Sequence, residues 1–148
     1  MITGIQHLHS TLRWVVLILL VLTLIRAWTN RSGSFNVQQA KLGLFTMISI
    51  HVQLLLGLVL YVQKGWMAKL GDSSIMGVTR DRFFTVEHLA GMLIAIVFGT
   101  LGHSLVKRAS DDAVKYRRQL IYFGIALILI LASIPWPIRP GFETSGWF

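Results

Sequence analysis

The chain has no cysteine. That excludes disulfides, thiolate zinc sites, iron–sulfur clusters and covalent c-type haem attachment through thioethers. Cofactors held by histidine stay open. Charge is also scarce, at 14% of residues, and Asp and Glu together number 6 against 14 Lys and Arg. The excess of +8 would point to nucleic acid in a water-soluble protein. Here the basic residues flank long apolar runs, which is the pattern of positive loops at a membrane surface, so no nucleic-acid partner is expected. The N-terminus lacks a basic segment ahead of its apolar run and a small-x-small cleavage pattern after it, so it reads as a retained span. No internal repeat and no low-complexity segment occurs.

What is present in quantity is apolar surface. Of 148 residues, 54% are apolar and the mean hydropathy is +0.65, as expected for a multi-pass membrane protein forming one domain over residues 1–148. Spans are expected at about residues 5–28, 42–63, 83–106 and 119–134. The first has an uncharged core from Trp14 to Ile25 that is too short for a bilayer, which needs about 20 residues. The segment IQHLHSTLRW must supply the missing turns and brings His9, Ser10 and Arg13 into the span or its interface. The second is bounded by Lys41 and Lys64, with no charge between them and His51 almost at its middle. The third, RFFTVEHLAGMLIAIVFGTLGH, carries Glu87, His88 and His103. The fourth follows a start signal at Ser110, read as an N-cap with Asp111 and Asp112 behind it, and stops before Pro135 and Pro137. The loop from Lys64 to Arg82 holds Trp66 and Met67, an interfacial pair, and the chain closes on Trp147 and Phe148.

Short connections between four spans predict an all-α, transmembrane, antiparallel four-helix bundle. Eight Lys and Arg flank the first and third loops and six lie on the other side, so the positive-inside rule puts both termini outside.

Ionisable groups in a span need a reason, since a charge near the centre costs about 2.5–3.5 kcal/mol on insertion scales. Depth sorts the histidines at about 1.5 Å per helical residue. With span centres at Val16, Val52 and Ala95, His9 and His88 both lie roughly 10 Å towards the outer side. His51 is next to its centre. His103 is roughly 12 Å towards the inner side, and His7 is at the outer interface. Two histidines at matching depth on diagonal helices suit the two axial positions of a haem b, one per chain. Gly91, a turn after His88, would leave room for the ring edge, and Arg13, a turn after His9, could pair with a propionate. Iron held by two imidazoles is low-spin and suits electron transfer rather than oxygen chemistry. The expected role is therefore an electron-transfer subunit rather than an independent enzyme, with no catalytic residue assigned.

His51 fits as an alternate ligand if its helix is displaced, or as a contact for a quinone headgroup, a second haem or a propionate. Gln53 does not share its face. The fourth span has no histidine, which argues against a second bis-histidine haem. Other readings stand beside this one. Membrane histidines also serve packing, Glu87 could pair with Arg13 or Arg82 or carry a proton, and Gly91, Gly99 and Gly102 could be helix-packing positions.

The segments HLHSTLRW, HVQLLLGLVLY, RFFTVEHLAGM and ASIPWP together resemble a family of small four-span bacterial membrane proteins generally labelled cytochrome b-like. The resemblance covers nearly the whole chain and implies haem b bound by membrane histidines. The matching residues are His7, His9, Arg13, His51, Glu87 and His88. The leading expectation is a haem b protein of the bacterial cytoplasmic membrane, passing electrons to or from quinone within a larger redox assembly. The alternatives are a non-catalytic structural subunit and a histidine-based metal- or solute-handling protein.

Overall fold

A computed structural model describes residues 2–146. Trp147 and Phe148, the expected aromatic tail, lie outside the described residues. Four long helices account for most of the chain: α1 (Ile2–Thr29), α2 (Val37–Gln63), α3 (Thr79–Arg108) and α4 (Asp112–Ser133). Each is long and apolar enough to cross a membrane. α1 packs on α2 and α4, and α3 packs on α4 and α2, so α1 and α3 face each other across a diagonal of the bundle.

The helices are apolar on all sides, as a membrane span is and a surface helix in water is not. Val16, Leu17, Leu20, Ile50, Ala95, Phe123 and Ile130 are buried together in the core. Ile18, Leu55, Val97 and Ile128 point outward, with Ile128 68% exposed. These outward side chains are the surface that a bilayer covers.

Two of the helices, α2 and α4, start on a side-chain cap. Asn36 accepts from the Gln39 amide at the head of α2. At the head of α4 the cap is Asp111, which accepts from the Val114 amide at 2.8 Å, and not Ser110 as the sequence suggested. Both residue types cap helices, and the carboxylate adds attraction to the positive helix end. α3 begins earlier than expected, at Thr79. It contains a π-helical segment, Phe83–Glu87, whose wider turn stands directly before His88. Tyr61 of α2 donates its hydroxyl to the Thr85 carbonyl within that segment at 2.8 Å. The wide turn is thereby tied to the neighbouring helix. The loop ahead of α3 forms two short 3-10 turns, Met67–Lys69 and Ser73–Gly77, and Trp66 stacks on Phe84 with ring centroids 5.4 Å apart.

Polar residues tie one end of the bundle, where α1 finishes and α2 and α4 start. Gln39 Nε2 donates to Gln119 Oε1 at 2.6 Å and to the Thr23 carbonyl at 3.2 Å. The hydroxyls of Thr23 and Thr46 meet at 2.8 Å. Arg118 donates to the Leu105 carbonyl at 2.6 Å, near the end of α3. Satisfying these groups inside the bundle is what a membrane interior demands. The opposite end of the bundle is built differently.

Candidate functional site: a two-histidine cavity at one end of the bundle

Where α1 and α3 begin and α2 and α4 finish, the helices separate around a cavity of about 240 Å³. His9 and His88 both line it. Depth counting on the sequence paired these two residues, and the fold brings them to one space from diagonal helices. Val16, Ile50, Met92 and Ile130 line its apolar part, and Arg13, Lys64 and Arg80 its basic part. No Asp or Glu is among the lining residues.

His88 is fixed from behind. Its Nδ1 donates to the Ser133 carbonyl of α4 at 2.7 Å. A carbonyl can only accept, so the ring proton sits on Nδ1 and Nε2 keeps its lone pair. That is the tautomer a metal-binding imidazole uses when its other nitrogen is held by a backbone oxygen. Phe83 and Phe84 stand beside the ring, with centroids 5.7 and 6.2 Å away.

His9 is held through its backbone, because Gln53 Nε2 of α2 donates to the His9 carbonyl at 2.9 Å. Its Nδ1 is buried without a hydrogen-bond partner, and so is Gln53 Oε1. Unsatisfied buried polar atoms are rare and costly, and they collect where a ligand or water belongs. Gly57 lies directly against the His9 ring: a Cβ there would stand 3.1 Å from Cε1. The α2 positions Gln53, Gly57 and Tyr61 recur at one-turn spacing and form a stripe facing the site. Nothing in the sequence singles out Gly57, and Gln53 stood there only against His51.

Arg13 also lines the cavity, with its guanidinium 5.5 Å from the Trp14 ring centroid and 5.6 Å from that of Trp136. The two indoles meet edge to face at 6.0 Å. Cation–π contact of this kind positions an arginine without neutralising it.

The remaining candidates stand elsewhere. His51 is outside the cavity: Nδ1 donates to the Met47 carbonyl of its own helix at 2.8 Å, and Nε2 lies 3.3 Å from Thr100 Oγ1 of α3. Both ring nitrogens are occupied, and His51 does not line the space that His9 and His88 share. Gly91 does not border the cavity. A Cβ on it would collide with the Ser133 side chain, so this glycine lets α3 and α4 approach closely, as a packing glycine does. Glu87 is exposed and pairs with Arg82, with Oε1 2.6 Å from Nε. His7 is exposed on α1, and His103 lies on the inner half of α3. Neither lines the cavity.

The residues around the cavity fit a haem. The two histidines line one space from diagonal helices, its lining is largely apolar, and the buried Nδ1 of His9 lacks a partner. Among the described residues no group of three or more His, Cys, Asp or Glu forms a metal cluster. Haem iron asks less of the protein, since the macrocycle supplies four ligands and two imidazoles complete the shell. Comparison with family models, with curated proteins and with solved structures gives no match for this chain.

Proposed function

We propose that this protein binds one haem b between His9 and His88 and serves as an electron-transfer subunit of a bacterial cytoplasmic membrane, with both termini on the outer side. The observation that carries the proposal is the shared cavity. Two histidines from diagonal helices line one mostly apolar space, and His88 has Nε2 left for a ligand by its bond to Ser133. The resemblance to the cytochrome b-like family supports the same reading.

When bound, haem supplies a one-electron couple. The protein's share is to hold it and set its surroundings. His9 and His88 would hold its iron. Val16, Met92 and Ile130 keep water from the ring. Arg13, pinned between two indoles, contributes positive charge, which favours the ferrous state. His51 and Thr100 form a polar pair nearer the middle of the span, with their protons given to the Met47 and Ile96 carbonyls. The electron donor and acceptor would be partner subunits reached at the outer end.

The test is a reduced-minus-oxidised absorbance spectrum of haem-replete protein, with pyridine-haemochrome quantitation. One haem per chain and sharp low-spin bands are expected. His9→Ala and His88→Ala should each abolish the low-spin bands, and His51→Ala should leave them in place. A preparation without Soret and alpha bands would refute the proposal.

The rival reading, a structural subunit, draws on the bonds from His88 to Ser133 and from Gln53 to His9, which join helices without any ligand. Under it, the histidine variants change assembly with partners and leave every spectrum unaltered. Metal handling would show instead as bound metal in elemental analysis, without haem.

A further inference from the structure

The mouth of the cavity is basic, and nearby acids do not account for that charge. Lys64, which caps the end of α2, donates to Gln6 Oε1 at 2.6 Å. Arg80, in the first turn of α3, donates to Thr144 Oγ1 of the C-terminal tail at 3.2 Å. Both partners are neutral. The acidic residues at this end are engaged elsewhere. Asp81 pairs with Lys69 at 2.6 Å and Glu87 with Arg82 at 2.6 Å. Asp72 accepts from the Ser74 amide and Glu143 from the Gly141 amide. Asp111 and Asp112 belong to the start of α4, at the other end of the bundle.

Two cations therefore stand at one opening without a carboxylate partner among the described residues. Their proximity has a cost. The Lys64 ammonium is held below its usual range, first by partial burial and then by the charge of Arg80. A doubly anionic group placed between them would relieve that repulsion. It would also meet them where water still reaches, and a carboxylate buried deeper would lose more solvation.

Resting on the haem reading above, we propose that Lys64 and Arg80 bind the two propionate carboxylates of the haem, with Thr144 releasing Arg80 as they do so. The haem edge that carries its charge then faces the outer surface, and the apolar edge points towards Ile50 and Ile130. Arg13 lies deeper, between Trp14 and Trp136, and acts on the ring from the side instead of anchoring its acids. The tail segment 144–146 also lines the opening.

The experiment is a titration of haem-free protein in phosphatidylcholine nanodiscs, read by Soret absorbance, with haemin and with haemin dimethyl ester. The wild type should bind haemin more tightly than the ester. Lys64→Gln and Arg80→Gln should each weaken haemin about tenfold, the loss of one partly exposed charge-assisted hydrogen bond. The double variant should lose more, and none of these changes should alter affinity for the ester. Arg117→Gln, at the opposite end, should match the wild type with both ligands. Unchanged haemin affinity in the double variant overturns the propionate assignment while leaving the axial histidines standing, and so does an equal loss for haemin and ester. Failure of the wild type to bind either compound overturns the haem reading and this assignment together.

Discussion

The polar clamp where α1 finishes and α2 and α4 start offers a quantitative check on how the bundle holds together. Gln39 and Gln119 are each only 1% exposed. Gln39 Nε2 gives two hydrogen bonds, to Gln119 Oε1 at 2.6 Å and to the Thr23 carbonyl at 3.2 Å. Gln119→Leu removes one of them and leaves Gln39 its bond to Thr23. The cost should match a membrane-buried side-chain hydrogen bond, about 0.6 to 1.7 kcal/mol. Gln39→Leu removes both bonds and strips Gln119 Oε1 of its donor, a change in the range of about 1–3 kcal/mol. It also deletes Gln39 Oε1, which is buried without a partner, and this brings the expected cost towards the lower end of that range. In the double variant neither amide is left facing an apolar side chain. It should be less destabilised than the sum of the singles, by about 1 kcal/mol, a fivefold change in the folding equilibrium. Gly43→Ala supplies an independent perturbation. Its Cβ would stand 2.6 Å from Gln119 Nε2 and must push that amide away. It should therefore resemble Gln119→Leu and add nothing to it. Unfolding in mixed micelles with increasing SDS measures all four. Because the clamp is at the end away from the histidines, haem affinity of the folded fraction should stay constant throughout. Additivity of the two glutamine changes within about 0.3–0.5 kcal/mol would refute the argument.

Other expectations concern the outer end. Gly57→Val places a branched side chain where even a Cβ is 3.1 Å from His9 Cε1, so the haem spectrum should shift from low-spin towards high-spin, checked by absorbance and electron paramagnetic resonance. Glu87→Gln breaks an exposed ion pair with Arg82 that contributes about 0–1 kcal/mol. Stability and the pH slope of the haem midpoint potential should barely move, and a lost slope would revive a proton-carrying role. The Asp72 carboxylate is stabilised by its hydrogen bonds to Ser74, which lower its pKa below 3.8 in the folded loop. Its contribution is complete above that value and is lost as pH falls through the lower folded one. Proteolytic cleavage within the Ser73–Gly77 turn should therefore rise only in strong acid.

Much of this architecture could be read from residues alone, because a bilayer imposes length and charge rules that leave plain marks. The uncharged interval between Lys41 and Lys64 placed α2, and counting from the span centres put His9 and His88 at one height. Facing was harder to read. A helix apolar on every side does not disclose which stripe points inward, so nothing distinguished the stripe of Gln53, Gly57 and Tyr61 from the face of His51. The same ambiguity made Gly91 look like clearance for a ring when it serves the approach of α4. The cap of α4 fell one residue off, since Ser110 and Asp111 are both competent and only the contact with the Val114 amide decides between them. Glu87 resolved in favour of Arg82. The π-helical turn before His88 left no trace in composition, as its cause is one additional residue per turn and not a change of residue type.

That turn makes α3 two pieces with separate alignments. Arg80 belongs to the piece at the mouth of the cavity, and His88 and Met92 to the piece that runs on into the bundle. Removing a single residue from 83–87 would restore an ordinary helix and swing the outer piece by about 100° around the axis, with His88 left in place. The opening of the cavity and the His88 ring inside it can thus be re-aimed independently: the gain or loss of one residue in 83–87 turns the first and leaves the second in place.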